Sequence, residues 1–353
     1  MRRAWASSVR LVAAHPVLSI VIFFAILPFI VPYRSLATQV LVYGLFALGF
    51  NLLYGYTGIL SFGHAAYWGL GAYGTGIALV KLGVKSLWLA MLVGLLCAVI
   101  AGAIVGSFCL RRRGIYFAML TLAFAQVFYF AAFHLADLTG GDDGLRGIPR
   151  LPLGLFGLEI SLSRPIAFHY FALAWAALAV AGLRRILDSP FGAVLTAIRE
   201  NSDRATACGY DVARIKLLSF VFSALIAGLA GSLDALRLTI VPVEALYWAT
   251  SGQAVIMTLL GGGGTFFGPF VGAATFLVLE DRLGLFLESW PLVVGLIFMA
   301  FVLFLPRGIW GTFLARLPRG SADLDQQGRA VPGDGSAPLE SDAASRWRSA
   351  RDC

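Results

Sequence analysis

The sequence predicts an all-α, polytopic membrane protein, and three observations support that prediction. Hydrophobic residues make up 59% of the 353 residues and charged residues only 13%, whereas soluble proteins carry about 25% charged residues. Apolar runs near the length needed to cross a bilayer, about 20 residues each, recur along most of the chain. Basic residues collect between alternate runs, as expected of loops on the inner side of a membrane.

Ten runs are predicted to cross the membrane as helices. They cover residues 16–32, 36–55, 59–80, 87–110, 114–135, 166–187, 217–237, 249–264, 266–284 and 289–306. The third and eighth are weaker than the rest because they are rich in glycine and small polar residues. The first follows a basic N-terminal segment, but Pro28, Pro32 and the lack of a small-residue cleavage site favour an uncleaved helix over a signal peptide.

The basic residues orient these spans, with both chain termini predicted in the cytoplasm. This orientation keeps the arginines at 111–113, the loop 188–216 and Arg307 on the inner side. Residues 1–15 form a cytoplasmic N-terminal segment, and residues 16–316 form the transmembrane domain. Residues 317–353 are rich in Gly, Pro, Ser and Asp and are predicted to be a disordered cytoplasmic tail, because they cannot bury enough apolar surface to offset ordering.

The loop 188–216 is polar and charged, although apolar runs flank it on both sides. Ser189 is predicted to cap a helix that accepts Pro190 in its first turn, and Gly209 is predicted to end it. Val194, Leu195 and Ile198 share one face of that helix, and Arg199, Glu200, Asp203 and Arg204 are expected to look outward. Such a helix at the edge of a membrane domain favours binding to another protein.

The glycine-rich third run is the second informative segment. Thr57, Ser61, Ala65 and Gly69 recur every four residues, which predicts a helix face with little side-chain bulk for close packing in lipid. Additional glycines permit a broken helix instead, which is tolerated at membrane depth where backbone faces protein or water. The residues then predicted to line a translocation path are Asn51, Tyr54, Gly58, Ser61, Gly63 and His64. The alternative for each of them is simple close packing.

Single polar residues in the other spans favour structural roles. Gln126 and Gln253 are expected to face the bundle interior, and Asp234 and Glu280 are expected near the outer interface, where water stabilises their charge. The spans lack the run of acidic residues or histidines that a proton relay needs, which disfavours an autonomous proton-coupled carrier.

The outer loop between the fifth and sixth spans contains Gly-Gly and Asp-Gly pairs, which are strong turn signals. Thr139, Gly140, Gly141 and Asp143 are therefore assigned to a structural turn that faces the periplasm. Its two carboxylates lack the spaced oxygen ligands of a calcium loop, and no metal site is predicted.

Five blocks in the chain, taken in order, resemble the permease subunits of branched-chain amino acid ABC importers of the LivM type. The blocks are NLLYGYTGILSFGHAAYWGLGAY, LRRRGIYFAMLTLAFAQ, TGGDDGL, SPFGAVLTAIRENSDRATACGYDVARIKLLSF and LLGGGGTFFGPFVGAA. The resemblance covers about residues 35–312 and implies the ABC-importer permease fold in a bacterial inner membrane. It also implies a second related permease subunit, two ATPase subunits and a periplasmic substrate-binding protein as partners.

The loop block is similar to the coupling pattern of ABC importers, in which an acidic residue is followed by small residues and a glycine. Here Asp203, Ala205 and Gly209 match that pattern, Arg204 replaces a usual alanine, and the downstream Leu-Pro is absent. The residues that the resemblance implies in coupling to the ATPase are Arg199, Glu200, Asn201, Asp203, Ala205 and Gly209.

The sequence excludes ATP hydrolysis by the chain itself, because no lysine follows a glycine and a GxxxxGK[ST] phosphate loop is impossible. The chain is expected to be a transport subunit and no enzyme, with no cofactor of its own and with ATP and Mg²⁺ bound by partner subunits. The arginines do not form the stripe of a nucleic-acid-binding surface. The resemblance implies branched-chain amino acids as cargo; urea or short amides stay as an alternative cargo, and an autonomous channel or secondary transporter as an alternative class.

Overall fold

The computed structural model describes residues 16–31, 33–155, 158–284, 290–305 and 307–315. The predicted N-terminal segment 1–15 and the predicted tail 317–353 lie outside the described residues. Nearly all of the described chain is helical, as the composition predicts, and the strands are only two or three residues long.

The helices are numbered here in chain order. The first seven are α1 Pro16–Ile30, α2 Arg34–Asn51, α3 His64–Val80, α4 Leu87–Cys109, α5 Ile115–His134, α6 Ala136–Thr139 and α7 Pro165–Leu187. The remaining seven are α8 Pro190–Glu200, α9 Ser202–Ala207, α10 Val212–Leu238, α11 Trp248–Gly261, α12 Gly268–Gly284, α13 Trp290–Phe304 and α14 Gly308–Ala315.

Within the described residues, five helices are long and apolar enough to cross a membrane. They are Ser35–Thr57, Leu87–Cys109, Ile115–His134, Pro165–Leu187 and Val212–Leu238. Helices suit this environment because they satisfy every backbone hydrogen bond within one segment. The other five predicted spans correspond to helices of 14 to 17 residues, which are shorter than the ~20 residues of a perpendicular crossing. The count of ten and the orientation therefore stay predictions.

The centre of the fold is built by α2, α3, α4 and α10, whose contact faces are fully buried. Close approach explains the glycines there: a Cβ atom on Gly231 would lie 1.9 Å from the Trp68 carbonyl oxygen, and one on Gly71 would lie 2.2 Å from that of Gly228. The Ser232 hydroxyl donates to the carbonyls of Gly71 and Gly228, at 3.1 and 2.8 Å. Small residues and a buried hydroxyl hold the helices together, as is common in lipid.

Helix α2 does not pass smoothly into the third predicted span. It continues as a π-helix over Leu52–Thr57 and ends at Gly58, which has a left-handed φ of 75°. Residues 58–63 are not helical, and α3 begins at His64. The predicted helix face through Thr57, Ser61, Ala65 and Gly69 is therefore wrong, because the chain leaves the helix between its first and third members.

Two features lie at the end of α10. The chain continues into strand β4 (Ile240–Val241), which pairs antiparallel with β1 (Leu145–Arg146). Asp234, expected near the outer interface, is instead buried and accepts two hydrogen bonds from the Arg237 guanidinium, both at 2.8 Å. The arginine one turn later neutralises the carboxylate, so the water that the sequence interpretation required is replaced by an ion pair. A separate two-stranded ribbon joins β2 (Leu153–Leu155) to β3 (Leu158–Ile160).

Candidate functional site

The polar loop 188–216 folds as two short helices, α8 and α9, called the loop helices below. The single helix predicted from Ser189 to Gly209 is wrong, because the backbone is extended at Asn201, with φ −157° and ψ 103°. The Asn201 side-chain oxygen accepts from the backbone N–H groups of Asp203 and Arg204, at 3.0 and 2.9 Å. Asn201 thus caps α9, a role that the predicted contact with a partner subunit does not include.

The two ends of the loop helices differ in how far they follow the sequence prediction. Ser189 occupies the capping position before Pro190, but its hydroxyl donates to the Ile186 carbonyl at 2.6 Å and not to a helix N–H group. Gly209 is left-handed, with φ 87°, as predicted. Its N–H donates to the Thr206 carbonyl and the next N–H to the Ala205 carbonyl, the bond pair of a Schellman motif.

The faces of α8 agree with the predicted amphipathic pattern. Leu195 and Ile198 are buried, Val194 is half-buried, and Glu200 is exposed. The buried side chains pack the loop helices onto the membrane helices, so the exposed face remains free to contact another protein.

Arg199 departs from the expected outward direction. The residue is exposed on α8, yet its guanidinium donates to the Gly55 carbonyl inside the π-helix. Its aliphatic stem lies against Gly58, where a Cβ atom would fall 3.0 Å from Arg199 Cγ. The carbonyls of the last helical turn have no intrahelical donor, so Arg199 satisfies one of them from outside the helix.

Asp203 connects the loop helices to the turn between α4 and α5. Its carboxylate pairs with Arg113 at 3.1 Å, and both side chains are largely exposed. An exposed pair of this kind adds little stability, but it marks where the two segments meet.

A cleft of about 1340 Å³ opens beside the loop helices and runs between residues 57–62, the start of α5 and the start of α10. Its wall combines apolar side chains from Phe62, Ile115 and Met119 with charged side chains. The charged lining residues are Arg112, Arg113, Arg199, Glu200, Asp211 and Lys216. At α11 the cleft reaches Trp248, whose neighbour Tyr247 packs on Tyr129 in the middle of α5 at 5.2 Å between ring centroids. The cleft therefore extends along much of α5.

Of the six residues predicted to line a path, the structure places Gly58 on the wall of this cleft. Asn51 is fully buried; its amide nitrogen donates to the Thr265 carbonyl and its oxygen accepts from the Gly264 N–H, at 2.9 and 2.8 Å. Tyr54 is half-buried and stacks on Phe50 at 5.8 Å. Asn51 thus ties the end of α2 to the glycine-rich turn between α11 and α12.

The other three predicted path residues lie in the packed interior. Ser61 is fully buried and its hydroxyl accepts from the Gly63 N–H at 3.3 Å. His64 is also fully buried, and its Nε2 lies 2.7 Å from the Ser223 hydroxyl. In this conformation these side chains contact neighbouring helices, which is the arrangement that the close-packing alternative describes.

The outer turn is a compact structure docked on β4. The Thr139 hydroxyl donates to the carbonyls of Ala132 and Leu135, at 2.5 and 2.8 Å. Gly140 and Gly141 both have positive φ, at 84° and 60°, and Asp143 forms an exposed ion pair with Arg146 at 3.0 Å. These contacts stabilise the turn itself, and the described residues hold no cluster of three or more metal-binding side chains.

Sequence reasoning did not single out Lys216 or Trp248 as parts of a site. Lys216 is half-buried at the inner wall of the cleft, although a lysine next to an apolar run is the pattern of any membrane boundary. Trp248 is ordinary in composition for a helix start. Only the folding of residues 58–63 away from a helix brings the two segments to one cleft, and no local pattern encodes that arrangement.

Comparison with known proteins adds a separate line of evidence. The profile of the family described as "Branched-chain amino acid transport system / permease component" matches residues 33–305. This range contains the cleft, the loop helices and the outer turn.

Individual relatives are similar over most of the chain. The high-affinity branched-chain amino acid transport system permease protein LivM of Salmonella typhimurium is 29% identical over 305 residues, which cover 80% of this chain and 71% of the relative. The Escherichia coli protein of the same name is 29% identical over 294 residues, 78% of this chain and 69% of the relative. The autoinducer 2 import system permease protein LsrC of Klebsiella pneumoniae is 30% identical over 149 residues, 39% of this chain and 43% of that protein. No solved structure matches the chain significantly.

Proposed function

Because the chain belongs to the permease family of branched-chain amino acid transport systems, we propose that it is one membrane subunit of an ATP-driven importer of branched-chain amino acids. The observation that carries this proposal is the family match over residues 33–305, which includes the cleft and the loop helices. The chain is a multi-pass membrane protein, and we place it in a bacterial inner membrane, as its relatives imply.

The partners in this proposal are a second related permease subunit, two ATPase subunits and a periplasmic binding protein. The loop helices are the surface for the ATPase, because α8 buries its apolar side chains inward and leaves charged residues such as Glu200 exposed. The binding protein delivers substrate to the opposite side, where the outer turn lies in the proposed orientation.

Transport then proceeds by alternating access. Binding and hydrolysis of ATP move the ATPase subunits, the loop helices follow them, and the cleft closes or opens toward the cytoplasm. The composition of the cleft supports amino acid cargo: apolar side chains such as Phe62 and Met119 suit an aliphatic side chain. Lys216 and Glu200 supply charges of both signs for a zwitterion.

Cargo is tested by uptake of labelled leucine in cells that lack their own branched-chain amino acid transporters. The cells express this chain with its second permease, ATPase and binding-protein partners. We expect uptake that excess isoleucine and valine suppress and excess urea does not. Suppression by urea or short amides, without effect of isoleucine, would contradict the amino acid assignment while leaving the permease role intact.

A further inference from the structure

Arg199 joins three parts of the molecule that are far apart in sequence. It stands in the last turn of α8, its stem packs on Gly58, and its guanidinium donates to the Gly55 carbonyl, 144 residues away along the chain. The π-helix Leu52–Thr57 that it contacts is the last part of α2 before the helix breaks. Arg199 is therefore a direct contact between the loop helices and the end of a membrane helix.

The same guanidinium also faces the turn between α11 and α12. A Cβ atom on Gly264 would lie 3.1 Å from an Arg199 guanidinium nitrogen and 3.3 Å from the Gly55 carbonyl oxygen. Asn51 holds that turn against α2 through its bonds with Gly264 and Thr265. The end of α2 and the α11–α12 turn thus form one unit, and Arg199 is seated at their junction.

We infer that Arg199 is the mechanical link that carries displacement of the loop helices to the π-helix and the α11–α12 turn. The inference rests on the proposed function and assigns Arg199 a different role from a contact residue for the ATPase. A planar guanidinium with several fixed donors suits such a link, since it holds its geometry when the backbone carrying it moves. Arg199 is a positioning residue: it touches neither ATP nor the cargo, and it acts through the segment that lines the cleft.

The test compares Arg199→Gln with Arg204→Gln in the complete transporter reconstituted in vesicles. Both changes remove one arginine from the loop helices, and the Arg204 side chain forms no hydrogen bond or ion pair within the described part of the chain. We expect Arg199→Gln to lower the number of substrate molecules imported per ATP hydrolysed by about tenfold, the effect of losing a charged hydrogen bond. Arg204→Gln should leave that ratio unchanged.

A merely structural cap predicts a different pattern, in which assembly, ATP hydrolysis and uptake of Arg199→Gln fall in parallel and the ratio stays constant. That result, or an unchanged ratio with normal assembly, would overturn the inference. Wild-type uptake in the same vesicles reports on the proposed function separately. Its absence would refute the importer assignment, whereas normal wild-type uptake with an unaffected Arg199→Gln ratio would refute the link alone.

A disulfide provides a second arm that does not depend on charge. A Cβ atom on Gly58 would lie 3.5 Å from Arg199 Cβ, within the range that a disulfide spans. In a Cys208→Ser background, the double variant Gly58→Cys/Arg199→Cys should import poorly when reduced and recover when oxidised. Equal uptake in the two states would contradict a mechanical role, because the same molecule with the link restored would gain nothing.

Discussion

Gly209 ends the loop helices, and replacing it by valine is the sharpest perturbation of the proposed ATPase contact. The glycine has φ 87°, and a Cβ atom there would meet nothing within 4 Å. Valine therefore meets no steric conflict with neighbours, and its cost comes from the left-handed backbone alone. That cost is about 1–2 kcal/mol for an L-residue, which corresponds to a roughly 5- to 30-fold smaller population of the native turn.

The loss of the native turn has a defined structural consequence. It releases the two terminal hydrogen bonds of α9 and displaces Tyr210 and Asp211, which line the cleft. We expect Gly209→Val to insert normally and to lose substrate-stimulated ATP hydrolysis and uptake together, because the loop helices no longer dock in register. The assay is reconstitution with the ATPase subunits, the binding protein and leucine, with both rates normalised to inserted protein.

Two control variants separate the role of the loop from backbone strain. Gly83→Val places valine at a second open, left-handed position, with φ 61°, in the connection between α3 and α4. It has a similar local cost and should transport normally. Gly209→Asn should also retain activity, since asparagine tolerates this conformation. Wild-type uptake and ATPase stimulation in Gly209→Val would refute the reasoning.

Further predictions concern orientation, stability and catalysis. A cysteine at Asp143 should react with an impermeant reagent added to whole cells and one at Glu200 should not; the reverse would overturn the orientation. Arg237→Met should lower stability by about 3–5 kcal/mol, because it leaves Asp234 buried without a counter-charge, and Asp234→Asn/Arg237→Met should regain much of the thermal stability in melting experiments. If the single and double variants melt alike, the pair is not a buried ionic contact. The isolated chain should show only background ATP hydrolysis, since it has no phosphate loop, and robust turnover would contradict that prediction.

Local patterns predicted the parts of the site that depend on local physics. The spacing of Leu195 and Ile198 gives one face of α8, and both are buried. Gly209 was assigned to a left-handed helix end because glycine adopts positive φ without steric cost, and the structure agrees. The Gly-Gly signal of Gly140 and Gly141 likewise marks a turn that the fold contains.

Other features were not predictable because their causes lie far away in the sequence. The inward direction of Arg199 depends on the Gly55 carbonyl, which only the folded chain brings near it. The break of the loop helix at Asn201 reflects a competition that sequence alone leaves open, since asparagine fits both a helix surface and a cap. Residues 58–63 follow a four-residue repeat of small side chains, which favours a helix, but the left-handed Gly58 ends α2 there.

The importer assignment is tested most directly by the concentration of labelled leucine inside sealed vesicles that contain the complete transporter. With ATP, Mg²⁺ and loaded binding protein on their proper sides, internal leucine should rise well above the external concentration. It should stay at background when a non-hydrolysable ATP analogue replaces ATP. Leucine that equilibrates across the membrane without hydrolysable ATP would identify a channel or secondary transporter and contradict the proposed role.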